Sequence, residues 1–254
     1  MNRSTMNVET PKGPCPTEVL TPEGSGPWPA VILCFDAGGP RPALSEIGAR
    51  VAKMGCLVAI PDFYHRVGRL SDLLPSGGSF FDLFKNPELR KQWMTTFYAT
   101  ALDYDVLRED VGALLAALRA RPDFRGGIGT TGYCMGGNLS LRIATVFGDA
   151  IAATASFHGG GLVTAAPDSP HLRVGGIKSR VYVAGAIEDP LFSDAAKQTL
   201  AQALDAAHVV NIVETYPAKH GFVVSDNGSY DAAAAARHDV ALEALFGATL
   251  HRAS

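Results

Sequence analysis

Apolar residues along this chain gather into short continuous runs, and between the runs they recur at helical spacing. Pro29-Ala-Val-Ile-Leu-Cys-Phe35 is apolar on both alternating faces and stops at Asp36-Ala-Gly-Gly-Pro40. A strand with one wet face would alternate, so this run predicts a strand buried between two layers. Residues 42–54 then place Leu44, Ile47, Val51 and Met54 three or four apart, which predicts a helix. A turn at Gly55 leads into a second buried strand over 56–60, closed by Pro61 and Asp62.

The same unit recurs. Helices are predicted over 104–119, where Val111, Leu114, Leu115 and Leu118 share a stripe, and over 135–147, 193–207 and 232–246. Strands are predicted over 128–133, 151–157, 181–186 and 209–216. Strands and helices alternating at this spacing predict an α/β fold, a mostly parallel central sheet with helices on both faces. Two segments break the rhythm. The first 28 residues are rich in Pro, Gly, Thr and Ser and read as an extended lead-in, with one short strand near 17–21. Residues 65–100 are polar and aromatic and exceed the usual connection length, which suits a short helical insertion over the active-site end of the sheet. No repeat or composition shift divides residues 1–254, so a single domain is expected.

Composition narrows the partners. A net charge of −3 and the lack of any Lys/Arg block supply no attraction for nucleic acid or an anionic membrane. No apolar run approaches the roughly 18 residues of a membrane span, and the first residues lack the apolar stretch of a signal peptide. The 4 cysteines (Cys15, Cys34, Cys56 and Cys134) show no metal-ligand spacing and read as free thiols of a cytoplasmic protein. The partner expected is a small molecule, bound by a monomer or a homodimer.

One cysteine stands apart. The strand over 128–133 runs into Gly132-Tyr133-Cys134-Met135-Gly136 and then directly into a helix. A nucleophile on such a turn needs small residues two before and two after it, so that strand and helix can approach. The helix N-terminus also favours a thiolate. A cysteine nucleophile needs a base, and the base an orienting acid, following it in the order acid, then histidine. Of the 7 histidines, His65 precedes the nucleophile, and His158, at a strand end, comes before any suitable acid. His171, His208, His238 and His251 fall in a loop, a helix–strand junction, a helix and the tail. His220 follows the last predicted strand, where the base belongs. The strand over 181–186 leads to Ile187-Glu188-Asp189-Pro190; Asp189, just before a helix, is the chosen acid and Glu188 its rival. Backbone N–H groups of Met135 and of Ala37, after the first buried strand, would form the oxyanion hole.

These motifs resemble the dienelactone hydrolases, a family of α/β-hydrolases with cysteine at the elbow. Gly132-Tyr133-Cys134-Met135-Gly136-Gly137, Pro61-Asp-Phe-Tyr64 and His220-Gly-Phe222 carry the resemblance, which spans most of residues 30–246. It implies hydrolysis of an ester or lactone by a Cys134, Asp189, His220 triad, with no cofactor and no metal. It also implies that Asp36, three before Gly39, stands in for the acidic residue that contacts the resting cysteine in the family. Tyr64 and Arg90 are substrate-contact candidates. Members that act on dienelactone carry an arginine four residues after the histidine; here that residue is Val224, so dienelactone is not the expected substrate. The alternatives are a cysteine-dependent acyltransferase or peptidase, and a non-catalytic small-molecule binding protein.

Overall fold

In the computed structural model, which describes residues 1–76 and 78–251, eight strands form one sheet in the order β1-β2-β4-β3-β5-β6-β7-β8. These are β1 Asn2–Thr10, β2 Gly13–Thr21, β3 Trp28–Cys34, β4 Leu57–Pro61, β5 Phe124–Tyr133, β6 Ala153–Phe157, β7 Arg180–Ala186 and β8 Asn211–Tyr216. From β4 onward in the sheet every neighbouring pair is parallel. The helices joining them begin with α1 (Pro42–Lys53) and end with α9 (Ala232–Thr249); between lie α6 (Tyr104–Arg119), α7 (Met135–Phe147) and α8 (Asp194–Ala206), and four short ones in the insertion. Pro42 opens α1 with its missing N–H where no partner is needed. The Asp103 side chain caps α6 by accepting from the N–H groups of Asp105 and Val106.

The first 28 residues are not an extended lead-in. They fold as a hairpin in which β1 pairs with β2 from Asn2↔Thr21 to Thr10↔Gly13, and β2 joins β4 antiparallel. Cys15, Thr17 and Val19 alternate inward and are buried. Pro14 and Pro16 obscure this pattern, but pairing with β4 begins at Thr17, so their missing N–H groups interrupt nothing on that side.

The 65–100 segment contains α2 (Leu70–Leu73), α3 (Asp82–Lys85), α4 (Pro87–Trp93), a π-helical turn over Met94–Tyr98, and α5 (Ala99–Leu102). Leu70, Leu83, Trp93 and Phe97 are buried. Phe97 meets Tyr64, just beyond β4, edge to face at 5.1 Å.

α1 touches α9, and α6 touches α7. Leu141 of α7 and Leu200 and Leu204 of α8 form a second apolar cluster with Val181 and Val183 of β7. The order in which successive strands are added reverses between β3 and β5: β3 is followed by β4 on one side, and β5 by β6, β7 and β8 on the other. Parallel sheets open a crevice at such a point, at the carboxyl ends of their strands. The loops that follow β3, β5, β6, β7 and β8 all end there.

Candidate active site

The turn after β5 is sharp. Cys134 has φ 54° and ψ −116°, left-handed backbone that a side-chain-bearing residue adopts at a cost of about 1–3 kcal/mol. Neighbouring backbone holds it there. Its carbonyl accepts from the N–H groups of Gly137 (3.0 Å) and Gly160 (3.1 Å), and its own N–H donates to the Phe157 carbonyl at 3.1 Å. The flanking glycines are steric necessities: a Cβ on Gly132 would lie 1.8 Å from the Gly136 carbonyl oxygen, and one on Gly136 2.1 Å from that of Cys34.

The loop after β8 delivers His220, and the loop after β7 delivers Asp189. His220 Nδ1–H donates to Asp189 Oδ2 across 2.7 Å, while Asp189 Oδ1 accepts the Leu191 N–H at 2.9 Å. The Asp189 side chain is wholly buried. Glu188, the rival acid, is exposed. His220 Nε2 is buried with no hydrogen-bond partner among the described residues. Burial alone would push the His220 imidazole down. Its bond to Asp189 and the adjacent Cys134 side chain outweigh that and lift it to about 10.

Met135 is the first residue of α7, so its N–H has no acceptor within the helix. Ala37 follows β3 and is tied back: its carbonyl accepts the Tyr64 hydroxyl at 3.0 Å, and the same hydroxyl stands 3.4 Å from Met135 Sδ. Tyr64 is buried, packed edge-on against Phe35 at 5.0 Å. It therefore supports the loop behind Ala37 more than it offers a surface to a ligand.

The other two candidates stand differently from expectation. Asp36 Oδ1 accepts the Gly38 N–H at 2.8 Å, and both its oxygens meet the Arg41 guanidinium, Oδ2 at 2.8 Å. Arg41 also binds Asp226 through Nε at 2.7 Å. Among the described hydrogen bonds none joins Asp36 to Cys134, so its carboxylate is committed to the arginine rather than to the sulfur. Arg90 is exposed on α4, its guanidinium 6.0 Å from the Phe84 ring, and is not brought to the triad residues. Val224 is buried, leaving no cation four residues past His220.

Several neighbours of the site carry no sequence signal. Asp226 reaches Arg41 from 185 positions away. Tyr98, on the π-helical turn, has its hydroxyl raised by burial and then by the Cys134 side chain. A cavity of about 480 Å³ lies beside the Ala37 loop, lined by Gly38, Tyr64, Leu70, Leu74, Phe80 and Phe81 among others. Arg41 and Arg69 also face it, but Arg41 is held by Asp36 and Asp226, and Arg69 by Asp72. No helix among the described residues is long and apolar enough to cross a membrane.

An eight-stranded, mostly parallel sheet with a strained strand–helix turn and an acid–histidine pair at its crevice defines the α/β-hydrolase class. The family model for the dienelactone hydrolase family matches residues 16–250, and the chain belongs to that family. It is a hydrolase, and its substrate is a small molecule. Among solved structures, a proposed dienelactone hydrolase from Klebsiella pneumoniae subsp. pneumoniae MGH 78578 is similar with TM-score 0.81 and 20% identity, covering 97% of this chain and 98% of that one. A dienelactone hydrolase-like promiscuous phosphotriesterase from metagenomic libraries is 25% identical with TM-score 0.71, covering 98% and 100%. A dienelactone hydrolase from Anabaena variabilis ATCC 29413 is 13% identical with TM-score 0.67, covering 98% and 99%. No curated protein matches the sequence.

Proposed function

We propose that the protein hydrolyses a small ester or lactone by acyl transfer through Cys134. The observation that carries this reading is the 2.7 Å bond from His220 to the buried Asp189, with the unpartnered Nε2 of His220 beside the elbow cysteine. Asp189 orients the ring so that Nε2 faces Cys134, and an imidazole raised to about 10 holds the proton it takes from the thiol, leaving the sulfur as the thiolate. The thiolate attacks the carbonyl carbon, and the N–H groups of Met135 and Ala37 receive the developing oxyanion. Collapse expels the alcohol oxygen, which takes its proton from the His220 imidazolium and leaves a thioester on Cys134. Water then gives a proton to His220 and attacks the thioester. The acid departs, and the thiolate recovers the proton.

The cavity beside Ala37 adjoins the site without being lined by Cys134, Asp189 or His220. Its arginines already face carboxylates, and its apolar wall is Leu70, Leu74, Phe80 and Phe81. Cys134→Ala tests the reading: aryl ester hydrolysis should fall to background, whereas undiminished turnover would exclude a Cys134 nucleophile. Acceptor acylation outrunning hydrolysis when an alcohol or amine is added would favour an acyltransferase instead.

A further inference from the structure

His158 follows β6 with φ 39°, a left-handed conformation that aims its ring back beneath the elbow. It is fully buried. Its Nδ1 lies 3.1 Å from the Cys134 N–H. A backbone N–H can only donate, so Nδ1 must carry the lone pair and the ring proton sits on Nε2. That Nε2–H has no acceptor among the described residues. The ring also meets His220 edge to face at 5.1 Å and Phe222 at 4.9 Å. A phenylalanine would fill the same space without stranding a buried donor. What the histidine adds is the acceptor facing Cys134.

We propose that His158 is a positioning residue that holds both halves of the proposed nucleophile–base pair, its Nδ1 accepting the Cys134 N–H and its ring bracing His220. This rests on the reading of Cys134 as nucleophile. The Cys134 N–H is shared between Nδ1 and the Phe157 carbonyl, and the two acceptors together fix the strained residue's direction. Burial, reinforced by the neighbouring His220 and His238, holds the His158 imidazole well below its ordinary range, so the lone pair on Nδ1 persists through neutral pH.

Two substitutions separate the acceptor from the packing. Asn tolerates left-handed backbone and places its Oδ1 near the position of Nδ1. Phe keeps a ring and has no acceptor. For folded variants, with circular dichroism as the check, His158→Phe should lower kcat for p-nitrophenyl acetate by roughly tenfold to a hundredfold with KM little changed, since misplacement of a reacting group carries penalties of that size. It should slow iodoacetamide alkylation of Cys134 in parallel. His158→Asn should recover most of both losses. If His158→Phe does not fold, His158→Gln, whose amide reaches the Nε2 position instead, takes its place. A kcat unchanged by loss of the acceptor, or a His158→Asn variant as impaired as the acceptor-free one, would overturn the proposal. Cys134→Ala assayed alongside distinguishes the two levels. If it retains activity, the nucleophile reading itself fails; if it is inactive while the acceptor-free variant keeps the full native kcat, this inference alone fails.

Discussion

The Tyr64 hydroxyl donates to the Ala37 carbonyl oxygen across 3.0 Å, joining the end of β4 to the loop after β3. Through that bond, one buried side chain sets the direction of the peptide next to the proposed oxyanion donor. Tyr64→Phe keeps the ring packing against Phe35 and Phe97 and deletes only the tether. Stability should fall by about 1 kcal/mol, the usual worth of one such bond. The kcat on an aryl ester should fall about tenfold if loop placement matters as proposed, and kinetics with a urea melt would read both. An unchanged kcat would mean that Ala37 is fixed by its backbone alone.

Asp189→Asn should leave the sheet intact and cost kcat about a thousandfold or more, because an amide can present the wrong tautomer of His220 to the nucleophile. Steady-state kinetics on folded protein checks this. Glu188→Gln, altering an exposed side chain, should leave kcat within about twofold.

The pH dependence of stability has a definite sign. His220 is raised to about 10 in the folded protein, against about 6.5 unfolded. A group raised on folding contributes stability that is complete below its unfolded value and fades as pH climbs through its folded one. The Tm difference between the native protein and His220→Gln should therefore be greatest near pH 6 and shrink steadily toward pH 10. A difference that widens over that range would contradict the assigned partners.

Gly136→Ala should be among the most damaging single substitutions. Its Cβ would fall 2.1 Å from the Cys34 carbonyl oxygen, a backbone atom that cannot rotate away. We expect a loss on the order of 3 kcal/mol or more, from denaturant unfolding, with inactivity in whatever remains folded.

Much of this was legible in the residue pattern, for identifiable reasons. The β3 and β4 runs are apolar on both faces because helices cover both faces, and the glycines around Cys134 are forced by a turn that admits no Cβ. Asp189 and His220, which the structure joins by a hydrogen bond, stand out in the sequence because each follows a strand, and strand ends converge at the crevice. The hairpin over β1 and β2 was obscured because Pro14 and Pro16 interrupt the reading of β2, although Cys15, Thr17 and Val19 alternate. Sequence analogy sets Asp36 against the cysteine, whereas its partner is Arg41 five residues on, a pairing the sequence hides because it is completed by distant Asp226. Arg90 illustrates the same limit: spacing inside an insertion of short helices does not say which way a side chain faces. His158 precedes the candidate acid in the chain, which argues against it as a base, and nothing in a lone histidine at a strand end reveals an imidazole accepting the Cys134 N–H.

The most direct test of the central claim is to quench the protein in acid during turnover of p-nitrophenyl acetate and map the adduct by peptide mass spectrometry. The account predicts an acetyl group on the Cys134 peptide, released by hydroxylamine as a thioester should be, and absent after Cys134→Ala. An acetyl group accumulating on another residue, with turnover surviving Cys134→Ala, would contradict it.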